Sequence, residues 1–454
     1  MQFALSNKQH ARAVLMLSLP IAGSHLAQFG LHLTDTIMLG WHSVEELAAV
    51  VLGGMFWFTL FIMGAGFGHA LLPLVSAALS RGEDTEARRT TRMSLWLSAL
   101  FGVLVMPLIL FAEPILIAMG QDQDISKLTG NYLVIAGWGI FPALGVNVLK
   151  SYLAAQERTQ FALWATVAGV VLNALINYML IFGNWGAPEM GLRGAAWASV
   201  WVNLFTFLLL VVYAAKATPE HALFQRIWRP DWEAFLRVFQ LGWPISLTSL
   251  AEVGLFSGAA VLVGWIGVYE LAAHGIALQI ASVTFLMHLG VSNAATIRAG
   301  HAFGRRDEAE LRRGGIIASV VSATFVLATV IVFFTFPEQL TGLFIDPDDP
   351  LRPQIIAIAS TLILFAALFQ VADAGQVMAL GLLRGVQDTK IPMLIAAFSY
   401  WLVAMPASYV LGIVFEFGAN GVWAGLVIGL TTAWVVMSIR FWGYSVRIET
   451  SGTS

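Results

Sequence analysis

Long apolar runs alternate with short polar breaks along the whole chain, and each run has the length of a bilayer crossing. A hydrocarbon core takes about 20 apolar residues of helix. Cutting at charged or Gly/Pro-rich stretches leaves runs at 14–39, 46–75, 92–119, 128–153, 161–183 and 191–215, then 235–264, 271–299, 314–344, 355–383, 392–416 and 420–443. The runs are continuous and rich in Leu, Val and Ala, whereas barrel strands would alternate over short segments. The pattern predicts an all-α integral membrane protein of twelve transmembrane helices. The first run follows a basic stretch, as in a signal peptide, but it continues past Gly30 without a small-residue cleavage site. It is read as a retained helix.

The twelve runs fall into two sets of six. A shift of 224 positions lays LSLP, ending at Pro20, on LGWP, ending at Pro244, and VEELAA from Val44 on VYELAA from Val268. The same shift lays the loop RGEDTEARR from Arg81 on RRDEAELRR from Arg305. Three matches at one offset indicate a duplication. Because six is even, both halves insert with the same orientation, giving two pseudo-symmetric six-helix bundles about an axis along the membrane normal. The expected division is an N-terminal lobe at 1–215, a linker at 216–234 and a C-terminal lobe at 235–454. The linker sequence KATPEHALFQRIWRPDW mixes basic and aromatic residues, which suits either an amphipathic interfacial segment or a plain connector.

Composition agrees: 11% charged and 58% apolar residues against about 25% and about half in soluble domains. Charge placement sets the orientation. Of 24 basic residues, 21 fall at the termini and even-numbered loops, and only Lys127, Arg193 and Arg352 fall in the odd-numbered ones. By the positive-inside rule both termini are expected in the cytoplasm of a bacterial cell, the chain being multi-pass in the inner membrane. The net charge of −3 gives no support to a nucleic-acid partner. There is no cysteine for disulfides or thiolate metal sites. No HExxH, Walker GxxxxGK[ST] or GxSxG motif occurs, so neither an enzyme nor an ATP-driven pump is expected, and an ion gradient must supply the energy.

Three acidic residues fall inside the runs: Asp35, Glu252 and Asp373. An embedded carboxylate costs roughly 2.5–3.5 kcal/mol near a helix centre, so each should face the protein interior with a partner. With no Lys or Arg assigned deep in any run, the expected partner is a proton, a metal cation or a cationic ligand. The plainer alternative is a protonated carboxyl that pins helices together. Asn173 and Asn177, spaced i and i+4, share one helix face. They are expected to offer carbonyl oxygens beside Asp35 or to act as interhelical hydrogen-bond glue. Gln28 stands opposite Glu252 under the 224 shift, so the two lobes differ there and the C-terminal one is more acidic. His25, His32, His69 and His288 are read as packing groups first and proton relays second. Pro20 and Pro244 should kink their helices, and Gly421, Gly425 and Gly429 form a stripe for close helix approach.

With the repeat and the three carboxylates in view, the chain resembles the multidrug and toxic compound extrusion (MATE) family, most closely its NorM-like branch. The stretches that carry the resemblance are LTDTIMLG from Leu33, NALINYMLIFG from Asn173, LAEVGLF from Leu250 and VADAGQVMALGLLRGVQDTK from Val371. It implies secondary active efflux of amphipathic organic cations by alternating access, in antiport with sodium or protons, without a bound cofactor and as a monomer in membrane lipid. It also implies that Glu252 and Asp373 bind the coupling cation, with sodium as the metal, and that Asp35 takes part in coupling. One departure stands out. The DinF branch has Asn followed four residues later by Asp on span five, whereas here both are Asn, which weakens a purely proton-driven N-lobe mechanism. Two other classes stay open: a lipid-linked oligosaccharide flippase of related fold, in which embedded basic residues would be expected, and a cation channel.

Overall fold

The computed structural model describes residues 6–347 and 350–448. Among the described residues there is helix and no strand, and twelve helices are long and apolar enough to cross a membrane. They are α1 (Asn7–His42), α2 (Val44–Ser80), α3 (Asp84–Leu110), α4 (Gln123–Ala155), α5 (Thr159–Phe182), α6 (Leu192–Ala217), α7 (Trp232–Ile266), α8 (Val268–Gly304), α9 (Glu308–Thr335), α10 (Arg352–Gly385), α11 (Lys390–Val414) and α12 (Gly418–Ser445). Several extend past the apolar run into polar sequence, where side chains cap them. Ser43 accepts the Glu46 N–H ahead of α2, Asp122 accepts those of Asp124 and Ile125 ahead of α4, and Asp307 accepts that of Glu310 ahead of α9. Each satisfies a backbone donor that the helix start leaves unpaired. Gly183, in the left-handed region with φ +69°, ends α5.

The 224-residue repeat is visible in the helix bounds. Val44–Ser80 maps onto Val268–Gly304 without slippage, and the ends of α1 and α7 are also 224 apart. Beyond α9 the offset grows, because 336–351 is longer than 111–122. The left-handed residues that close α4 and α10, Glu157 and Gln387, each with φ 62°, are 230 apart.

The chain divides into two compact units, Gly23–Ser246, and the segment up to Ala22 together with Leu247 onward. Both breaks fall two residues after the interior prolines, Pro20 of α1 and Pro244 of α7. Proline removes one intrahelical N–H donor, so these are the weakest points of continuous helices. The beginning of α1 is therefore grouped with the second half of the sequence, and the beginning of α7 with the first, unlike the expected lobes 1–215 and 235–454. Glycines permit this packing in each unit. A Cβ at Gly66 on α2 would lie 2.6 Å from the Gly242 carbonyl oxygen, and one at Gly290 on α8 would lie 2.8 Å from that of Ser18. These two pairs are related by the 224 shift.

The predicted Gly stripe is packing: on α12, a Cβ on Gly421, Gly425 or Gly429 would run into Leu411, Ser408 or Ala404 of α11. Helix α11 is irregular, with π-helical turns at Phe398–Ala404 and Val410–Val414. Such turns often mark functional positions. The linker is no amphipathic helix. Only Pro219–His221 forms a short 3₁₀ turn and turns follow, with the Trp228 side chain exposed.

Candidate functional site

Each unit buries its own carboxylate site. In the Gly23–Ser246 unit, Asp35 sits on the later part of α1 and is 6% exposed. Its Oδ1 accepts hydrogen bonds from Asn177 Nδ2 at 2.6 Å and Asn173 Nδ2 at 3.1 Å, and its Oδ2 accepts from Ser199 Oγ at 3.0 Å. The i, i+4 spacing on α5 does bring both asparagines to Asp35. The groups they present are amide N–H donors, however, and not the carbonyl oxygens expected. The reason is the acceptor itself: a carboxylate has only lone pairs to offer, so the amide nitrogens turn toward it. Asn177 Nδ2 also reaches Asn173 Oδ1 at 3.2 Å, tying the pair together.

Ser199 on α6 was not foreseen, because a single serine on an apolar helix carries no signal. The faint one available is the polar ladder Ser199, Asn203 and Thr206 along a single face. Tyr132 of α4 lies beside Asp35 and Ser199, and His32 lies within electrostatic reach of Asp35 one turn earlier on α1. Gln28, two turns before Asp35, makes none of these bonds.

In the other unit, Glu252 on α7 and Asp373 on α10 lie within electrostatic reach of each other, and both are close to Tyr400 on the first π-helical turn of α11. Asp373 is 1% exposed and Tyr400 is fully buried. Gln376, one turn beyond Asp373, lies beside Tyr400. Glu252 Oε1, Asp373 Oδ1, both amide atoms of Gln376 and the Tyr400 hydroxyl are buried without a hydrogen-bond partner. A buried polar group left unpaired costs about 1–3 kcal/mol, so such a cluster is built for something that completes it. Gln376 was within reach of sequence reasoning as i+3 from Asp373. Tyr400 resembles any membrane aromatic.

The expectation that no Lys or Arg lies deep in any run leaves out two basic side chains that the longer helices include. Arg384 belongs to α10, eleven residues and therefore three turns beyond Asp373 on one face, and it is within electrostatic reach of Glu252 and Tyr400. It was assigned to a loop because the apolar run ends at 383 while the helix continues to Gly385. Lys150 likewise lies within α4, in electrostatic reach of His25. Among the described residues Glu252 and Asp373 form no direct ion pair, so Arg384 acts at a distance. With two acids and one guanidinium, the cluster carries one formal negative charge. Among the described residues no group of three or more His, Asp or Glu could hold a metal ion. Of the histidines, His288 is 1% exposed with both ring nitrogens unpartnered, while His25 and His69 both have partners.

Comparison with known proteins gives a consistent result. The MatE family model matches residues 20–179 and again 244–410, two segments whose starts are 224 apart. A protein of Agrobacterium fabrum named "Probable multidrug resistance protein NorM" is 43% identical over 434 residues, covering 95% of this chain and 93% of its own. A Rhizobium meliloti protein of the same name is 42% identical, covering 97% and 95%. Among solved structures, "Crystal structure of MATE in the bent conformation" superposes with a TM-score of 0.88 at 21% identity over 99% of this chain and 100% of that one. An outward-facing multidrug resistance MATE family transporter superposes with a TM-score of 0.86 at 23% identity, covering 98% and 97%.

Proposed function

The chain belongs to the MatE family and is a multi-pass multidrug efflux transporter of small molecules; from that premise, we propose that it exports amphipathic organic cations in antiport with sodium or protons. The observation that carries this reading is the Glu252–Asp373 cluster, with unpaired oxygens and one formal negative charge counted over Glu252, Asp373 and Arg384. One monovalent cation neutralises that charge. Sodium fits better than a divalent ion, since two carboxylates already offset by a guanidinium leave too little charge for a second positive unit. The neutral oxygens of Gln376 and Tyr400 suit a hard cation, and a proton on either carboxylate would satisfy the same charge balance.

Coupling follows if the cation binds one lobe arrangement more tightly than the other, since a ligand with equal affinity for both shifts nothing. Drug and cation then favour opposite arrangements and exchange. Asp35 serves the same cycle from the other unit, where its three donors hold the carboxylate in place. The skew of 21 of 24 basic residues supports a cytoplasmic location for both termini and insertion in a bacterial inner membrane.

Dye efflux from proteoliposomes tests the reading. Glu252→Gln and Asp373→Asn are each expected to abolish ion-driven efflux while the protein remains folded; undiminished transport in both sinks the assignment. A sodium jump at constant pH separates the ions: efflux driven by it supports sodium, and efflux that follows only a pH jump supports protons. Lys150 inside α4 favours a second reading, anionic lipid-linked cargo. A flipping assay with such cargo, positive where dye efflux is absent, would establish it.

A further inference from the structure

Within the Gly23–Ser246 unit, the linker lies across one end of α3 and is tied to it. Arg92 donates to the carbonyl oxygens of Leu223 at 2.7 Å and Ala222 at 2.9 Å, and the Trp96 indole N–H donates to that of Ile227 at 2.8 Å. Between linker and helix lies a cavity of about 390 Å³ lined by Arg88, Arg89, Arg92, Arg226 and Arg229, with Asp231 also in its lining. The acids nearby are spent on one of these arginines: Glu86, Asp231 and Glu233 all bind Arg89. Among the described residues Arg88, Arg226 and Arg229 form no ion pair, and Nε of Arg88 is buried without a partner. Guanidinium groups gathered around a cavity in this way suit a phosphate, which accepts their paired N–H donors.

An apolar groove of about 910 Å³ runs along the same helix and the same linker. On the linker the two interleave: Gln225, Arg226 and Arg229 line the cavity, while Phe224, Ile227 and Trp228 line the groove. From there the groove follows Trp96, Leu100 and Val103 of α3 and Phe207, Leu208 and Val211 of α6. Ser98 is the one aliphatic hydroxyl in an otherwise apolar or aromatic lining. A cationic drug would be repelled by the arginines, and a free phosphate would have no use for the groove.

The duplication supplies an internal contrast. In the other unit a similar groove is lined by Ser319, Val320, Ala323 and Leu327, the positions 224 after Leu95, Trp96, Ala99 and Val103. There the counterpart of Arg92 is Ile316, Arg312 is paired with Glu308, and Arg313 donates to Asn7. The groove is common to both repeats, and the arginine cavity belongs to the first.

We propose that cavity and groove together bind one anionic phospholipid from the leaflet on the arginine side, its phosphate held by Arg88, Arg226 and Arg229 and an acyl chain laid along α3 and α6. Native mass spectrometry of the full-length protein, offered phosphatidylglycerol and phosphatidylcholine of equal chain length, tests this. The wild type should retain phosphatidylglycerol preferentially. Arg226→Gln with Arg229→Gln, both exposed side chains, should lower that preference about 25-fold, at roughly fivefold per arginine. Arg312→Gln in the other repeat should leave it unchanged. Equal retention of both lipids by the wild type, or an unaltered preference in the double variant, overturns the proposal. Ala99→Trp, which fills the groove, should release the lipid. Displacement of phosphatidylglycerol by inorganic phosphate alone would make this a free-anion site and overturn the lipid assignment.

Discussion

The bond between Asn177 and Asp35 can be weighed by a double-mutant cycle, because its strength reports on the charge of the carboxyl. Both side chains are buried, at 0% and 6% exposure, and the donor lies 2.6 Å from Oδ1. Interhelical hydrogen bonds inside membranes average about 0.6 kcal/mol and reach about 1.7, and charge-assisted bonds are roughly twice as strong as neutral ones. With Asp35 ionised, the coupling between Asn177→Ala and Asp35→Ala should therefore be about 1–1.5 kcal/mol. Asn173, at 3.1 Å, should couple to Asp35 less strongly. The assay is unfolding of wild type, both single variants and the double variant in mixed micelles. Gln28→Ala serves as control and should be additive with Asp35→Ala, since it lies two turns away and makes none of these bonds. A coupling for Asn177 inside the usual additivity error of about 0.3–0.5 kcal/mol would refute the reasoning, leaving the asparagines as mere neighbours of the carboxyl.

Two further outcomes are expected. Gly425→Ala drives a Cβ into the Ser408 backbone, which cannot rotate aside, and should destabilise by about 1–3 kcal/mol. Gly275→Ala, with nothing within 4 Å, should be neutral or stabilising by up to about 1 kcal/mol, so thermal denaturation in detergent that ranks the pair the other way would contradict the packing described. At the linker, the hydrogen bond from Arg89 holds the Asp231 carboxyl below the usual carboxylate range. A depressed folded-state value means this tether is fully present above the unfolded value of about 3.9 and lost as pH falls through the folded one. Limited proteolysis of residues 218–231 should therefore be flat from about pH 5 to 8, with Asp231→Asn cleaved faster throughout; a wild-type transition between pH 5 and 7 would exclude this origin.

The fold was legible because lipid imposes a single solution, internally bonded helices of bilayer length, and the apolar runs mark them directly. The duplication then carried the bounds of α1 and α2 onto α7 and α8. A repeat cannot say which copy packs with which, so the grouping of the start of α1 with the second half was invisible in the sequence. Candidate site residues were legible where helical spacing links them, as for Asn173 and Asn177. They were missed where the helix outlasts its apolar run, as at Arg384, or where a residue type is common in membranes, as for Ser199 and Tyr400.

The two repeats descend from one ancestral half, yet their buried carboxylates stand at non-equivalent positions and meet the cost of burial differently. Asp35 is held by three neutral donors, so its charge is spread over bonds that are already made. A cation arriving there would compete with those donors and gain little. Around Glu252 and Asp373 one oxygen of each carboxylate, the Gln376 amide and the Tyr400 hydroxyl are buried and unpaired, and Arg384 offsets half of the formal negative charge without pairing with either acid. Each such group forfeits about 1–3 kcal/mol until something bonds it, so a cation placed among them recovers free energy that the Asp35 site has already realised through its own side chains. A coupling ion can move an equilibrium only by its difference in affinity between two arrangements, and that difference is largest where the empty arrangement is least satisfied. On the proposed reading, the ion therefore acts chiefly through α7, α10 and the π-helical turn of α11, and Asp35 follows as a partner in the cycle.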